Sequence, residues 1–295
     1  MKKVIAAAAL VAVFLVLTTT RFGIFIVFDV LGDVGSDNLP SDPTKGPLVL
    51  SGLLSAQQRI PLPDSLEQGS GLHVDGQHLY ISTDQGELFT LSHAGVEAGP
   101  VSRLLGGLLI LRQGRLEGIA VRGERLLGIG ELGEIAAWRN EHGKWRSTEA
   151  VALPDGLDDL EFTGLTWFGH DLLGTADDGL GIWNLRTGDR HDPEIGAHLR
   201  PGRAADGLVV SGIAADSSSL YLTTENYSSI LRVDPVAWRV TDVWGIDAGE
   251  PSDIAVLDGL AYVTGDHNYF DPRPPLLVYA LPPPTGTPPT SLPTR

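Results

Sequence analysis

Five segments of this 295-residue chain begin alike, and their spacing restricts the fold more than any other feature. Each begins with a polar residue, then a Gly or Asp, then an apolar run. The second positions, which lie 47, 46, 48 and 41 residues apart, are Gly71, Gly118, Gly164, Gly212 and Asp253. Behind each come a short turn, an apolar strand, a third strand and a less regular fourth. A period of this length with four short strands per unit is typical of a β-propeller.

The repeat predicts an all-β fold, a propeller of five blades with four antiparallel strands each, over residues 47–281. The fifth unit has only three strands of its own. We therefore expect the segment Leu48–Leu62 to supply its outer strand, which would close the ring and remove an open sheet edge. Six blades remain an alternative, because the stretch 186–209 is long enough for an additional hairpin.

The N-terminal residues 1–28 precede the repeat and are mostly apolar. Lys2 and Lys3 precede an apolar run that is not followed by a small-residue cleavage site. This predicts an uncleaved signal anchor, a transmembrane helix of the cytoplasmic (inner) membrane with the propeller in the periplasm or outside the cell. Secretion after cleavage is the alternative. Residues 29–46 are predicted to be a linker, and the Pro-rich residues 282–295 a disordered tail.

Composition excludes several functions. The net charge of −16 and pI of about 4.7 do not suit nucleic acid, and the membrane is expected to contact only the N-terminal helix. The absence of cysteine excludes disulfides and thiolate metal sites. An unidentified small molecule or an envelope protein remains as the expected partner.

An acid stands thirteen residues after each repeat position, where the second strand ends. Because the first strand of a blade starts at that same end, these acids are predicted to surround the mouth of the central channel. They are Asp84, Glu131, Asp177, Glu225 and Asp266, with Glu117 and Asp253 close inside. Such a ring suits Ca²⁺, which accepts many oxygen ligands in flexible geometry. The alternative is that the acids only stabilise hairpin turns.

The wall of this site is predicted to contain polar and aromatic residues of the longest insertion and of the fourth blade. They are Asn226, His267, Asn268 and Tyr269. No motif of a known nucleophile or phosphate-binding loop is present, which favours a binding module. A metal-dependent hydrolase of a phosphoester, ester or lactone is the alternative, with Glu117 or Asp253 as general base.

The segments Leu116-Glu-Gly-Ile-Ala-Val, Val210-Ser-Gly-Ile-Ala-Ala and Leu222-Thr-Thr-Glu-Asn resemble the SdiA-regulated family of bacterial envelope proteins over residues 65–281. The resemblance implies an N-terminal anchor, an extracytoplasmic propeller and a Ca²⁺ ion. Esterase-like phytases and lactonase-type propellers have similar blade starts. Lactonase-type propellers hold their metal with a Glu, two Asn and an Asp. Glu117, Asp253 and Asn226 match three of these positions, and no second Asn stands at a blade start.

Overall fold

The computed structural model describes residues 43–63, 66, 69–76, 78–83, 86–92, 102–104, 116–130, 132–157, 160–205, 207–265 and 275–284. The predicted anchor, most of the linker and most of the tail lie outside these residues. Within them, no helix has the length and apolarity that a membrane crossing needs.

Short strands make up nearly all the regular structure of the described residues. In chain order, the first ten are β1 (Gly52–Leu54), β2 (Gln58–Ile60), β3 (Gly71–Val74), β4 (His78–Ser82), β5 (Glu87–Ser92), β6 (Ser102–Arg103), β7 (Gly118–Arg122), β8 (Arg125–Ile129), β9 (Ile135–Glu141) and β10 (Lys144–Ser147). The others are β11 (Phe162–Phe168), β12 (Asp171–Ala176), β13 (Ile182–Asn184), β14 (Arg190–His191), β15 (Val210–Ala215), β16 (Leu220–Thr224), β17 (Ser229–Asp234), β18 (Arg239–Ile246), β19 (Pro251–Leu257), β20 (Leu260–Gly265) and β21 (Leu276–Ala280).

These strands form five sheets, which confirms the five-bladed propeller. The blades are β3–β6, β7–β10, β11–β14, β15–β18 and β19–β21 with β2, in that order. Their first strands contact one another in a closed ring, because β19 of the last blade also contacts β3 of the first. The described residues of the stretch 186–209 contribute β14 and the short 3₁₀ helix Gly196–His198, and they form no sixth blade.

The two ends of the described chain close the ring as expected. Strand β2 pairs antiparallel with β21, with Gln58 opposite Val278 and Ile60 opposite Leu276. Strand β1, which the sequence did not predict, pairs in parallel with the outer strand β18 of the fourth blade. The segment before the first blade therefore holds the fourth and fifth blades together.

Apolar side chains between neighbouring blades form the core. One such cluster joins the third and fourth blades, and includes Ile182 and Leu222, both fully buried. Strands buried between two sheets in this way read as short apolar runs, which is the pattern that the repeat shows. The core thus holds neighbouring blades against each other, and a functional site is expected in the turns at the two ends of the propeller.

Candidate functional site

The first and second strands of every blade are antiparallel, so the start of the first and the end of the second lie at the same end of the propeller. We call this end the mouth face. The turns between the second and third strands also lie there. Of the acids that the sequence predicts to be functional, the described residues Glu117, Asp177 and Glu225 lie at this face.

A β-bulge recurs where each first strand begins. In the last three blades the register shifts at Thr163, Ser211 and Ser252, the residues directly before the repeat position. In the second blade, the Glu117 amide donates to the carbonyl of Ile129, which is already the partner of Gly118. Bulges redirect side chains at the ends of strands, and here each redirects a polar one.

Hydroxyl pairs line the mouth end of these bulges. Thr163 Oγ1 lies 3.3 Å from Thr175 Oγ1, and Ser211 Oγ donates to Thr223 Oγ1 at 3.2 Å. Ser252 Oγ donates to the carbonyl of Gly69 in the first blade at 3.0 Å. The second-strand partners Thr175 and Thr223 were not predicted from the sequence. A signal was present, since Ser or Thr stands eleven residues after the repeat position in four of the five units.

The glycines of the repeat close the hub of the propeller. A side chain at Gly118 would meet the Leu165 amide nitrogen of the next blade at 2.8 Å, and one at Gly164 would meet the Ile213 nitrogen at 2.9 Å. Each first strand thus packs directly against the backbone of the next blade. At this level of the hub, backbone contacts between first strands leave no room for a side chain at Gly118 or Gly164.

Asp253 occupies the fifth of these positions and is 1% exposed. Its Oδ2 accepts the Leu72 amide at 2.6 Å and its Oδ1 accepts the Ile254 amide at 2.8 Å. Burial raises the pKa of this carboxyl well above its usual range, although these amides and that of Ile213 favour the ionised form. Its oxygens are directed into the hub, and its role as a metal ligand stays a prediction.

The third blade brings three acids together on the mouth face. The Asp177 amide donates to the carbonyl of Glu161 at 2.9 Å, which ties the turn after β12 to the start of β11. Desolvation raises the pKa of Asp177, and the carboxylates of Glu161 and Asp178 raise it further. Arg190 forms two ion pairs: its Nη1 lies 2.5 Å from Asp178 Oδ2, and its Nε lies 2.7 Å from Asp192 Oδ1. Arg190 therefore compensates the charge of Asp178 rather than that of Asp177.

The other described candidates lie in different surroundings. Glu225 is half-buried, and its amide donates to the Val209 carbonyl at 3.0 Å. Asn226 accepts the Val209 amide and donates to the Gly207 carbonyl at 2.7 Å, so its side chain holds the connection into β15. Glu117 is half-buried at the start of β7. In the second blade it takes the place that hydroxyls occupy elsewhere.

Six predicted site residues lie outside the described residues, namely Asp84, Glu131, Asp266, His267, Asn268 and Tyr269. Among the residues that the structure does describe, no three His, Cys, Asp or Glu side chains are arranged to hold a metal ion. The Ca²⁺ site and the hydrolase alternative both stay predictions.

Comparison with known proteins identifies the fold. No known protein family and no curated protein sequence matches this chain, so the likeness to the SdiA-regulated family is not confirmed. Among solved structures, a glutaminyl cyclase from Myxococcus xanthus is 17% identical, with a TM-score of 0.55 over 79% of this chain and 97% of that one. The PQQ-bound aldose sugar dehydrogenase from Streptomyces coelicolor is 11% identical, with a TM-score of 0.52 over 77% of this chain and 97% of that one. At these identities the similarity supports the β-propeller fold alone.

Proposed function

We propose that this chain is a propeller binding module that holds a divalent cation, Ca²⁺ first among candidates, at the acidic mouth face. The observation that carries the proposal is the backbone hydrogen bond of 2.9 Å from Asp177 to Glu161, which brings the turn with Asp177 and Asp178 against Glu161 on the mouth face. Desolvation raises the pKa of Asp177, and the two neighbouring carboxylates raise it further. Carboxylates that repel one another in this way gain from a cation placed between them.

Ca²⁺ fits this corner better than smaller cations do. It accepts six to eight oxygens and tolerates water and backbone carbonyls among its ligands, whereas Mg²⁺ requires near-octahedral geometry. Two carboxylates on surface turns give a modest site, with a dissociation constant of roughly 10⁻⁴ to 10⁻³ M, as in extracellular Ca²⁺ modules. The net charge of −16 raises the local cation concentration over the whole surface.

The location proposed for this module is the outer side of the cytoplasmic membrane, with residues 1–28 as its anchor. Lys2 and Lys3 before an apolar run support this arrangement. Fractionation of cells that produce the full chain tests it. We expect the chain in the membrane fraction, and release into the soluble fraction on deletion of residues 1–28. Equal solubility of both forms would contradict the anchor.

Titration calorimetry of the purified chain, freed of metal with a chelator, tests the cation site. CaCl₂ is expected to bind more tightly than MgCl₂, and the double variant Glu161→Gln/Asp177→Asn is expected to bind Ca²⁺ about tenfold more weakly. The matched control is Glu124→Gln/Asp258→Asn, two exposed acids at the turns of the opposite face. The absence of Ca²⁺ binding, or equal weakening in both variants, would overturn the proposal.

A further inference from the structure

A groove of about 430 Å³ opens on the mouth face of the second blade. One wall is the turn from β8 to β9, and the other is the connection that leads from β10 towards β11. Its lining residues are Leu132–Ile135, Ala150, Val151 and Leu153–Gly156. The volume lies within the range of small-molecule sites.

Backbone hydrogen bonds hold both walls in place. The Gly130 amide donates to the Glu134 carbonyl at 2.8 Å, and Gly133 completes this turn with a φ of 83°. In the opposite wall, the Leu157 amide lies 3.4 Å from the Pro154 carbonyl, and Gly156 has a φ of 87°. Glycine adopts such positive φ angles without strain. The groove is therefore formed before any ligand arrives.

The lining combines apolar side chains with two carboxylates. Ile135 belongs to the buried core, and Val151 and Leu153 pack against the same cluster. The acids are Glu134, whose Oε1 is shielded from solvent, and Asp155, which is exposed at the corner of its turn. The described lining residues include no Lys, Arg or His.

From this combination we propose that the groove binds a small organic ammonium ion with an apolar body, such as an arylalkylamine. The apolar walls favour burial of the hydrocarbon part, and the carboxylates attract the charged nitrogen. An organic anion would be repelled by both acids. A bare metal ion would find two carboxylates and no third ligand among the described residues, and would make no use of the apolar walls.

Phenethylamine, 2-phenylethanol and 3-phenylpropionate are matched cationic, neutral and anionic probes for this groove. We expect phenethylamine to bind the full chain with a dissociation constant of about 1 mM, which lies within the affinity that so small a ligand can reach. The neutral alcohol is expected to bind about tenfold more weakly, and the anion not at all. NMR titration of the protein amides measures each affinity and also locates the site.

Two kinds of substitution test separately the charge of the groove and its shape. Asp155→Asn should reduce the preference for amine over alcohol, and the double variant Asp155→Asn/Glu134→Gln should abolish it. Ala150→Trp, which places a large side chain at an exposed lining position, should abolish binding of both probes. Glu124→Gln on the opposite face is the control and should change neither affinity. Circular dichroism confirms that each variant is folded.

The proposal is overturned if the anion binds as well as the amine, if Asp155→Asn and Glu124→Gln behave alike, or if Ala150→Trp leaves amine binding unchanged. The titrations are made with a chelator present, so that the result does not depend on Ca²⁺. The groove and the proposed cation site can therefore fail independently.

Discussion

The Oδ2 atom of Asp253 accepts a hydrogen bond of 2.6 Å from the Leu72 amide, and this bond joins the last blade of the propeller to the first. At the other four junctions a glycine lies against the backbone of the next blade. The ring is thus closed by a side chain at its hub and by strand β2 at its rim. Both contacts involve the fifth blade: Asp253 belongs to its first strand, and β2 forms its outer strand.

Asp253→Gly would give the fifth blade the same residue as the others, yet we expect it to destabilise the protein. The Leu72 and Ile254 amides would lose a buried acceptor, which costs roughly 2 to 4 kcal/mol in the free energy of unfolding. Urea unfolding measures this difference. Asp258→Asn, at an exposed turn, is the control and should change stability little. A Gly variant as stable as the unmodified protein would show that Asp253 does not close the hub.

Gly118→Ala tests the close packing of the hub. The new methyl group would meet the Leu165 nitrogen at 2.8 Å and the Gly164 Cα at 2.9 Å, and backbone cannot move aside as a flexible side chain can. The expected loss is roughly 1 to 3 kcal/mol in unfolding free energy. At Gly76 an added methyl group meets nothing within 4 Å, so Gly76→Ala should be close to neutral. Equal effects of the two substitutions in thermal unfolding would contradict the packing.

Removal of the segment before the first blade tests closure at the rim. A chain that starts at Gly69 lacks β2, and the edge of β21 becomes unpaired. We expect its melting temperature to fall by about 10 °C or more. A synthetic peptide of residues 43–62 should restore most of this loss by pairing with the free edge, as added strands do in other sheets.

The control for that experiment is the same peptide with Ile60→Asp, which places a charge at a buried position of the closing strand. It should not restore the melting temperature. Equal rescue by both peptides, or no loss in the shortened chain, would refute closure by β2.

His73 predicts a pH dependence of stability. Burial lowers its pKa to about 4, against the attraction of Asp75 and with a smaller contribution from Arg122. Its folded-state pKa lies below the ordinary 6.5, so between these values the unfolded chain binds more protons, and stability falls as the pH falls.

His73→Gln removes this titration. Between pH 7 and 5 the variant should lose less stability than the unmodified chain, by about 1 to 2 kcal/mol after allowance for partial exposure of the ring. Urea unfolding at the two pH values checks the difference. An identical loss in both proteins would show that His73 is not held in its neutral form.

The repeat was sufficient to predict the blades, because each apolar run had four counterparts. It also predicted that residues 48–62 contain the outer strand of the fifth blade, which is β2, because the fifth unit lacked a fourth strand. Strand β1 had no counterpart. This strand has only three residues, too few for a recognisable alternation of apolar and polar positions. Its parallel pairing with β18 depends on where the chain crosses from one blade to the next, which the repeat does not show.

The candidate site was predicted less completely than the fold. Asp177 was identified by its offset, but its neighbour Glu161 belongs to a connection without a fixed offset, and only the folded chain shows that they meet. Asp253 appeared to be one acid of a ring. The structure shows a buried acceptor of backbone amides, and an aligned Asp in place of Gly carries no information about which way its oxygens point.

The most direct test of the account is the pKa of the Asp177 carboxyl, measured by NMR with and without Ca²⁺. Without the ion, the pKa should lie above that of an ordinary Asp, because partial desolvation and the charges of Glu161 and Asp178 disfavour ionisation. At about 10 mM Ca²⁺, roughly ten times the weakest dissociation constant expected, it should fall clearly below its ion-free value. An unchanged pKa would contradict a cation site at this corner of the mouth face.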